Sequence, residues 1–273
     1  MPHVFIALEN TASAFGLKKG NTKNKPESKV NVSKQAEKAK EQVYQQRREL
    51  AEKLDFDFKK DASEGFGEDN IHFIVRTLAS KRGYSYGVAG SLPSLFKRLS
   101  FEASQQKLPF DTLIFLGHGN AGLMTVGLGR FPANELKNER EKALLQLDKR
   151  MINVSDDSKA HWTQTFRDHR DSLGVGKADK VLHIVFMGCA TGNMSEVSFK
   201  VLPKVTSAAI SELLNCDVIC YGADRLIENK ELEAAIAHIE TITSEAASSG
   251  ALQGSISLEH SDASLEWYRK NAG

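Results

Sequence analysis

Two short stretches carry residues that could do covalent chemistry. In DTLIFLGHGNAG, residues 111 to 122, an apolar run from Thr112 to Leu116 opens into Gly-His-Gly. In VLHIVFMGCATGN, residues 181 to 193, a second apolar run opens into Gly-Cys. A thiol, with an ordinary pKa of about 8.5, is mostly protonated at neutral pH. A neighbouring imidazole can take its proton or stabilise the thiolate, and the product is a strong nucleophile. The pair therefore suits acyl transfer. Cys189 would attack a carbonyl, His118 would protonate the leaving group, and the backbone amides around Gly119 and Gly188 would hold the developing oxyanion.

The elements that must position these residues alternate along the chain. HVFIALE (3–9) is a β-branched and aromatic run that predicts a strand, and residues 33–54 suit a helix capped by Ser33. IHFIVRTL (71–78) and YSYGVAG (84–90), joined by ASKRG, predict a β-hairpin. Residues 91–103 predict a helix with Pro93 in its first turn. Further helices are expected at 133–149, 157–172, 197–214 and 229–248. Further strands are expected at 112–116, 181–187 and 217–222, and GSISLEH (254–260) with SLEWYR (264–269) forms a closing hairpin. This alternation predicts an α/β fold: a mostly parallel central sheet with helices on both faces and a C-terminal hairpin. Residues 1–273 read as one domain, in which the lysine-rich stretch 18–32 is a mobile loop. Function in such sheets gathers outside the carboxyl ends of the strands, so His118 and Cys189 should project at the same edge. The glycines beside them are expected to permit sharp turns and leave room for a ligand.

Composition narrows the class. The chain is 41% hydrophobic and 26% charged, with a formal net charge of +1, so no global field points to nucleic acid. No stretch approaches the ~20 apolar residues of a membrane helix. The start, MPHVFIALEN, lacks the basic region and small-residue cleavage site of a signal peptide. Three cysteines do not make a disulfide framework and imply free thiols. The expected setting is the cytoplasm, or export without a cleaved signal.

Taken singly, a cysteine or histidine after a strand is more often structural than catalytic. The matched placement of His118 and Cys189 after two apolar strands favours catalysis. Cys216 and Cys220 fall at or inside a predicted strand and read as core; their spacing lacks the second cluster a metal site needs. His183 lies within an apolar run and reads as packed, His161 and His169 as solvated, and His3, His72, His238 and His260 carry no partner signal. An α/β-hydrolase is excluded because the positions two before and two after Cys189 are Met187 and Thr191 rather than glycine, and because the histidine precedes the nucleophile.

A strand ending in His-Gly followed by a later strand ending in Gly-Cys resembles the caspase-like (clan CD) cysteine peptidases. The nearest likeness is to the autoprocessing cysteine protease domains of large bacterial toxins, which share an opening strand like VFIALEN and a stretch like FPANEL (131–136) that opens a helix. The resemblance implies a caspase-like three-layer sandwich and a thiol protease acting through a His118/Cys189 dyad. Its substrate would be a protein, itself included, and a host-delivered bacterial effector or a protease of the cell's own interior would both suit a chain that begins at Met1. The chemistry requires no cofactor. The resemblance also implies activation by an inositol phosphate or other polyanion, on lysines 18, 19, 23, 25 and 29 with Lys200, Lys204 or Arg225; a solvated lysine loop is the plainer reading. In that clan the residue before the scissile bond enters a pocket walled by the segment corresponding to DVICYGADRLIEN (217–229). Asp224 and Arg225 are the candidates there. Asp224 facing in would select Arg or Lys, which is the preferred expectation; Arg225 would select Asp or Glu; neither would leave a leucine-type preference. The alternative function is a catalytically silent binding or scaffold module with the same fold.

Trypsin is expected to nick the folded chain first within residues 18–32. First cleavage elsewhere, mapped by mass spectrometry, would remove the mobile loop from this reading.

Overall fold

The computed structural model describes residues 3–9, 70–89, 92–117, 119–125, 151–154, 156–175, 180–188, 190–194, 200–225, 227, 229–259 and 261–273. The loop expected at 18–32 and the helices expected at 33–54 and 133–149 lie outside the described residues.

A seven-stranded sheet organises the rest. Its strands are β1 (Val4–Glu9), β2 (Ser85–Ala89), β3 (Thr112–Leu116), β7 (Val181–Met187), β8 (Asp217–Ala223), β9 (Gln253–Ser257) and β10 (Ser264–Lys270). A small antiparallel sheet adds β4 (Gly119–Asn120), β5 (Leu123–Thr125) and β6 (Met151–Asn153). The helices are α1 (Asn70–Arg82), α2 (Leu92–Gln106), α3 (Asp156–Asp168), α4 (Leu202–Leu214), α5 (Asn229–Ala237) and α6 (Ile239–Ser248). The large sheet has the order β2-β1-β3-β7-β8-β10-β9. The first five are parallel, and β10 runs antiparallel to both β8 and β9, which gives the expected C-terminal hairpin.

Alternation along each strand divides the core in two. Phe5, Leu113, Phe115, Ile184, Phe186 and Cys220 face Leu95 and Leu99 of α2, Phe166 of α3 and Ile210 of α4. Ile6, Ile114, Val185, Met187 and Tyr221 face Val75 of α1, Ile236 of α5 and Ile242 of α6. A sheet buried on both faces needs apolar residues at successive positions, which is why TLIFL and VLHIVFM read as continuous runs.

Several expectations are corrected. Residues 71–78 belong to α1, and β2 pairs parallel with β1 rather than with a hairpin partner. Val75 and Ala79, one helical turn apart, are fully buried. Gly83, with φ +70°, closes the helix as the Tyr84 N–H returns to the Ala79 carbonyl at 2.8 Å. The ASKRG segment is thus the end of a helix and its glycine stop. The 229–248 helix is divided in two at His238. His169, expected in solvent, is half-buried, its Nδ1 2.7 Å from the Ser100 hydroxyl, and His3 stacks on Phe110 with its Nδ1 2.9 Å from the Pro109 carbonyl.

His183 is packed, as expected. It is buried on β7 with Nδ1 2.8 Å from the Tyr221 hydroxyl, and burial, with Arg269 nearby, pushes its pKa down to about 4. The folded chain therefore favours the neutral ring. Its contribution is complete above the unfolded pKa of about 6.5 and is lost as pH falls toward 4, on the order of 3 kcal/mol. Chemical denaturation between pH 7 and 4 should show a shallower loss of stability in His183→Gln than in the wild type. Parallel curves would contradict the assignment.

Candidate active site

The carboxyl ends of β3 and β7 are neighbours, with a register that runs from Thr112↔His183 to Leu116↔Met187. His118 and Cys189 each lie two positions beyond the last of these pairs. Both residues lie outside the described residues, but the residues that flank them do not.

Backbone meets backbone between the two turns. A methyl group added at Gly119 would stand 3.0 Å from the Gly188 Cα and 2.6 Å from the Thr191 Cγ2. One added at Gly188 would stand 3.0 Å from the Gly119 Cα and 2.6 Å from the Met124 Sδ. No side chain fits at either position without displacing the other turn, so the residue after His118 and the residue before Cys189 are in contact through their main chains. Gly119 also opens β4, which pairs with β5 across a turn containing Gly122 at φ +88°. This hairpin supplies the buried Met124 that covers Gly188.

The segment after Cys189 is fastened to β8. Ala190 donates its N–H to the Arg225 carbonyl at 2.9 Å, and Gly192 donates to the Ala223 carbonyl at 2.7 Å. The side chain of Asn193 donates to the Asp224 carbonyl. The buried Thr191 hydroxyl donates toward the carbonyls of Phe186 (2.9 Å) and Gly188 (3.1 Å) and accepts the Ala223 N–H at 3.2 Å. Gly192 and Gly222 form a second glycine pair, since a methyl at either would strike the main chain of the other. The glycines thus permit close approach rather than sharp turning. Left-handed backbone occurs instead at Ala190, with φ +54°.

The two charged candidates differ in their engagement. Asp224 is half-buried; its Oδ1 accepts the Ser264 N–H at 2.9 Å and its N–H donates to the Ser264 carbonyl, a clip between β8 and β10. Arg225 is exposed, with its guanidinium 3.8 Å from Asp262, a carboxylate whose side chain is 97% accessible to water. Such a pair contributes little.

The remaining thiols lie away from this edge. Cys216 and Cys220 are buried, and burial pushes the Cys216 thiol up to about 11 and the Cys220 thiol well above its ordinary range. Among the described residues no group of three or more His, Cys, Asp or Glu converges as a metal site, and no helix is long and apolar enough to cross a membrane. Thr191, Ala190, Asn193 and Met124 were not legible as site residues in the sequence; the only signal was their place beside Gly-Cys and Gly-His-Gly.

Comparison with protein-family models, with curated proteins and with solved structures finds no match for this chain.

Gly192→Ala and Gly119→Ala should each lower unfolding stability by ~1–3 kcal/mol, because the added methyl meets the Gly222 main chain in the first and the buried Thr191 methyl in the second. Gly273→Ala, with open space around it, should be neutral. Denaturation midpoints of all three variants within error of the wild type would contradict the close packing of the strand ends.

Proposed function

We propose that the chain is a cysteine endopeptidase of caspase-like layout, in which Cys189 is the nucleophile and His118 its acid–base partner. One observation carries the reading: Gly119 and Gly188, the chain neighbours of those two residues, are in backbone contact at the carboxyl ends of adjacent parallel strands. A thiol and an imidazole carried on touching turns suit proton transfer between them. The two other cysteines support it from the opposite side, since both are buried and held protonated, which leaves Cys189 as the thiol suited to attack.

In the proposed reaction the Cys189 thiolate adds to the scissile carbonyl, and N–H groups of the Gly119 and Gly188–Cys189 turns receive the oxyanion. His118 then passes a proton to the departing amine, and water hydrolyses the thioester. Arg225 is the group that selects the residue before the cut. Its main chain is bonded to Ala190, next to the nucleophile, and its guanidinium is exposed, whereas Asp224 has one carboxylate oxygen committed to Ser264. This supports a preference for Asp or Glu over the Arg or Lys preference that Asp224 would give. A protein, including the chain itself, is the proposed substrate.

Incubation with a proteome-derived peptide library tests the reading. The wild type should create new termini after Asp or Glu. Cys189→Ala should create none while keeping its thermal midpoint, and His118→Ala should be slower by ~10²-fold or more. Arg225→Ala should lose the acidic preference. Cleavage after Arg or Lys would return specificity to Asp224, and full activity in either dyad variant would overturn the mechanism. No cleavage by the wild type would favour the silent scaffold.

A further inference from the structure

We infer that Thr191 is the positioning residue that sets the Cys189 turn against the His118 turn, an inference that rests on the proposed dyad. Thr191 is completely buried, and its two functional ends meet different strand ends. The hydroxyl is bonded to three main-chain groups: the Phe186 carbonyl on β7, the Gly188 carbonyl immediately before Cys189, and the Ala223 N–H on β8. It therefore fixes where the Cys189 turn leaves β7 and how that turn lies on β8. The methyl group lies against Gly119, close enough that any side chain at position 119 would collide with it at 2.6 Å. It thereby limits how near the His118 turn can come. One side chain thus sets the Cys189 turn by hydrogen bonds and the spacing of the His118 turn by contact. A β-branched hydroxyl residue is the type that does both: serine lacks the methyl, and valine lacks the hydroxyl.

This role is separable from ordinary packing by how Cys189 titrates. A thiol paired with an imidazole ionises below the usual value of about 8.5, and its alkylation rate follows the thiolate. The test is the pH dependence of iodoacetamide labelling of the full chain, read by mass spectrometry on the Cys189 peptide. The variants are Thr191→Val and Thr191→Ser, with Ile210→Val as a core control. In the wild type the inflection should fall below 8.5. In both Thr191 variants it should move up toward 8.5, with labelling at pH 7 slower by about fivefold or more, while Ile210→Val keeps the wild-type profile. Thr191→Ser keeps the three main-chain hydrogen bonds, so it reports on the inference even where Thr191→Val does not fold. A wild-type profile in folded Thr191→Ser, or in folded Thr191→Val, overturns the positioning role. A wild-type chain that itself inflects at about 8.5 overturns the dyad and not Thr191 alone.

Discussion

A carbon atom added to Gly119 would stand 3.0 Å from the Gly188 Cα, tighter than nearly all contacts a Cβ makes, and 2.6 Å from the Thr191 methyl, and a carbon added to Gly192 would collide with the main chain of Gly222. These two contacts require hydrogen atoms where other residues carry side chains. They draw the segment that follows β3 onto the segment that follows β7, and the latter onto the end of β8. The sheet makes this economical. Parallel strands in register deliver their carboxyl ends to one edge, and Leu116↔Met187 is the last pair before the chains turn. From there the glycines allow contact, and the hydrogen bonds of Thr191, Gly192 and Asn193 hold it.

Burial sorts the ionisable groups of the same sheet into different roles. Cys220 points into the core between β8 and its helices, where desolvation disfavours the thiolate, and Cys216 is held protonated for the same reason. His183, inside β7, is kept neutral and bonded to Tyr221. The proposed chemistry accordingly uses residues beyond the strand ends. There the half-buried Asp224 ties β8 to β10, while Arg225 stands in water beside the turn that follows Cys189.

Strands β3, β7 and β8 were legible because a doubly buried parallel strand needs an unbroken apolar run, and TLIFL, VLHIVFM and DVICYG supply it. The same cue misread IHFIVRTL. Its β-branched residues suit a strand, but Val75 and Ala79 are buried one helical turn apart, and Gly83 is a helix stop rather than part of a hairpin turn. The small sheet formed by β4, β5 and β6 was missed because its strands are two or three residues long and one partner, Met151–Asn153, is distant in sequence. At the edge itself the glycines were visible but their purpose was not, since a contact between residues 119 and 188 leaves no local pattern. Thr191 was invisible for the same reason: every partner of its hydroxyl is main chain, which any sequence would provide.

The most direct test of the account is whether positions 118 and 189 lie side by side, as the proposed dyad requires; the contact between their chain neighbours Gly119 and Gly188 supports it. In His118→Cys, mild oxidation should join position 118 to Cys189 if the two are adjacent, because cysteines whose Cα atoms are more than about 7 Å apart cannot be bridged without backbone movement. Cys216 and Cys220 should stay reduced. The account predicts near-complete cross-linking of the folded chain, seen as the loss of two hydrogens in the intact mass and as a linked peptide spanning both turns. A folded variant that keeps both thiols free under those conditions would contradict it.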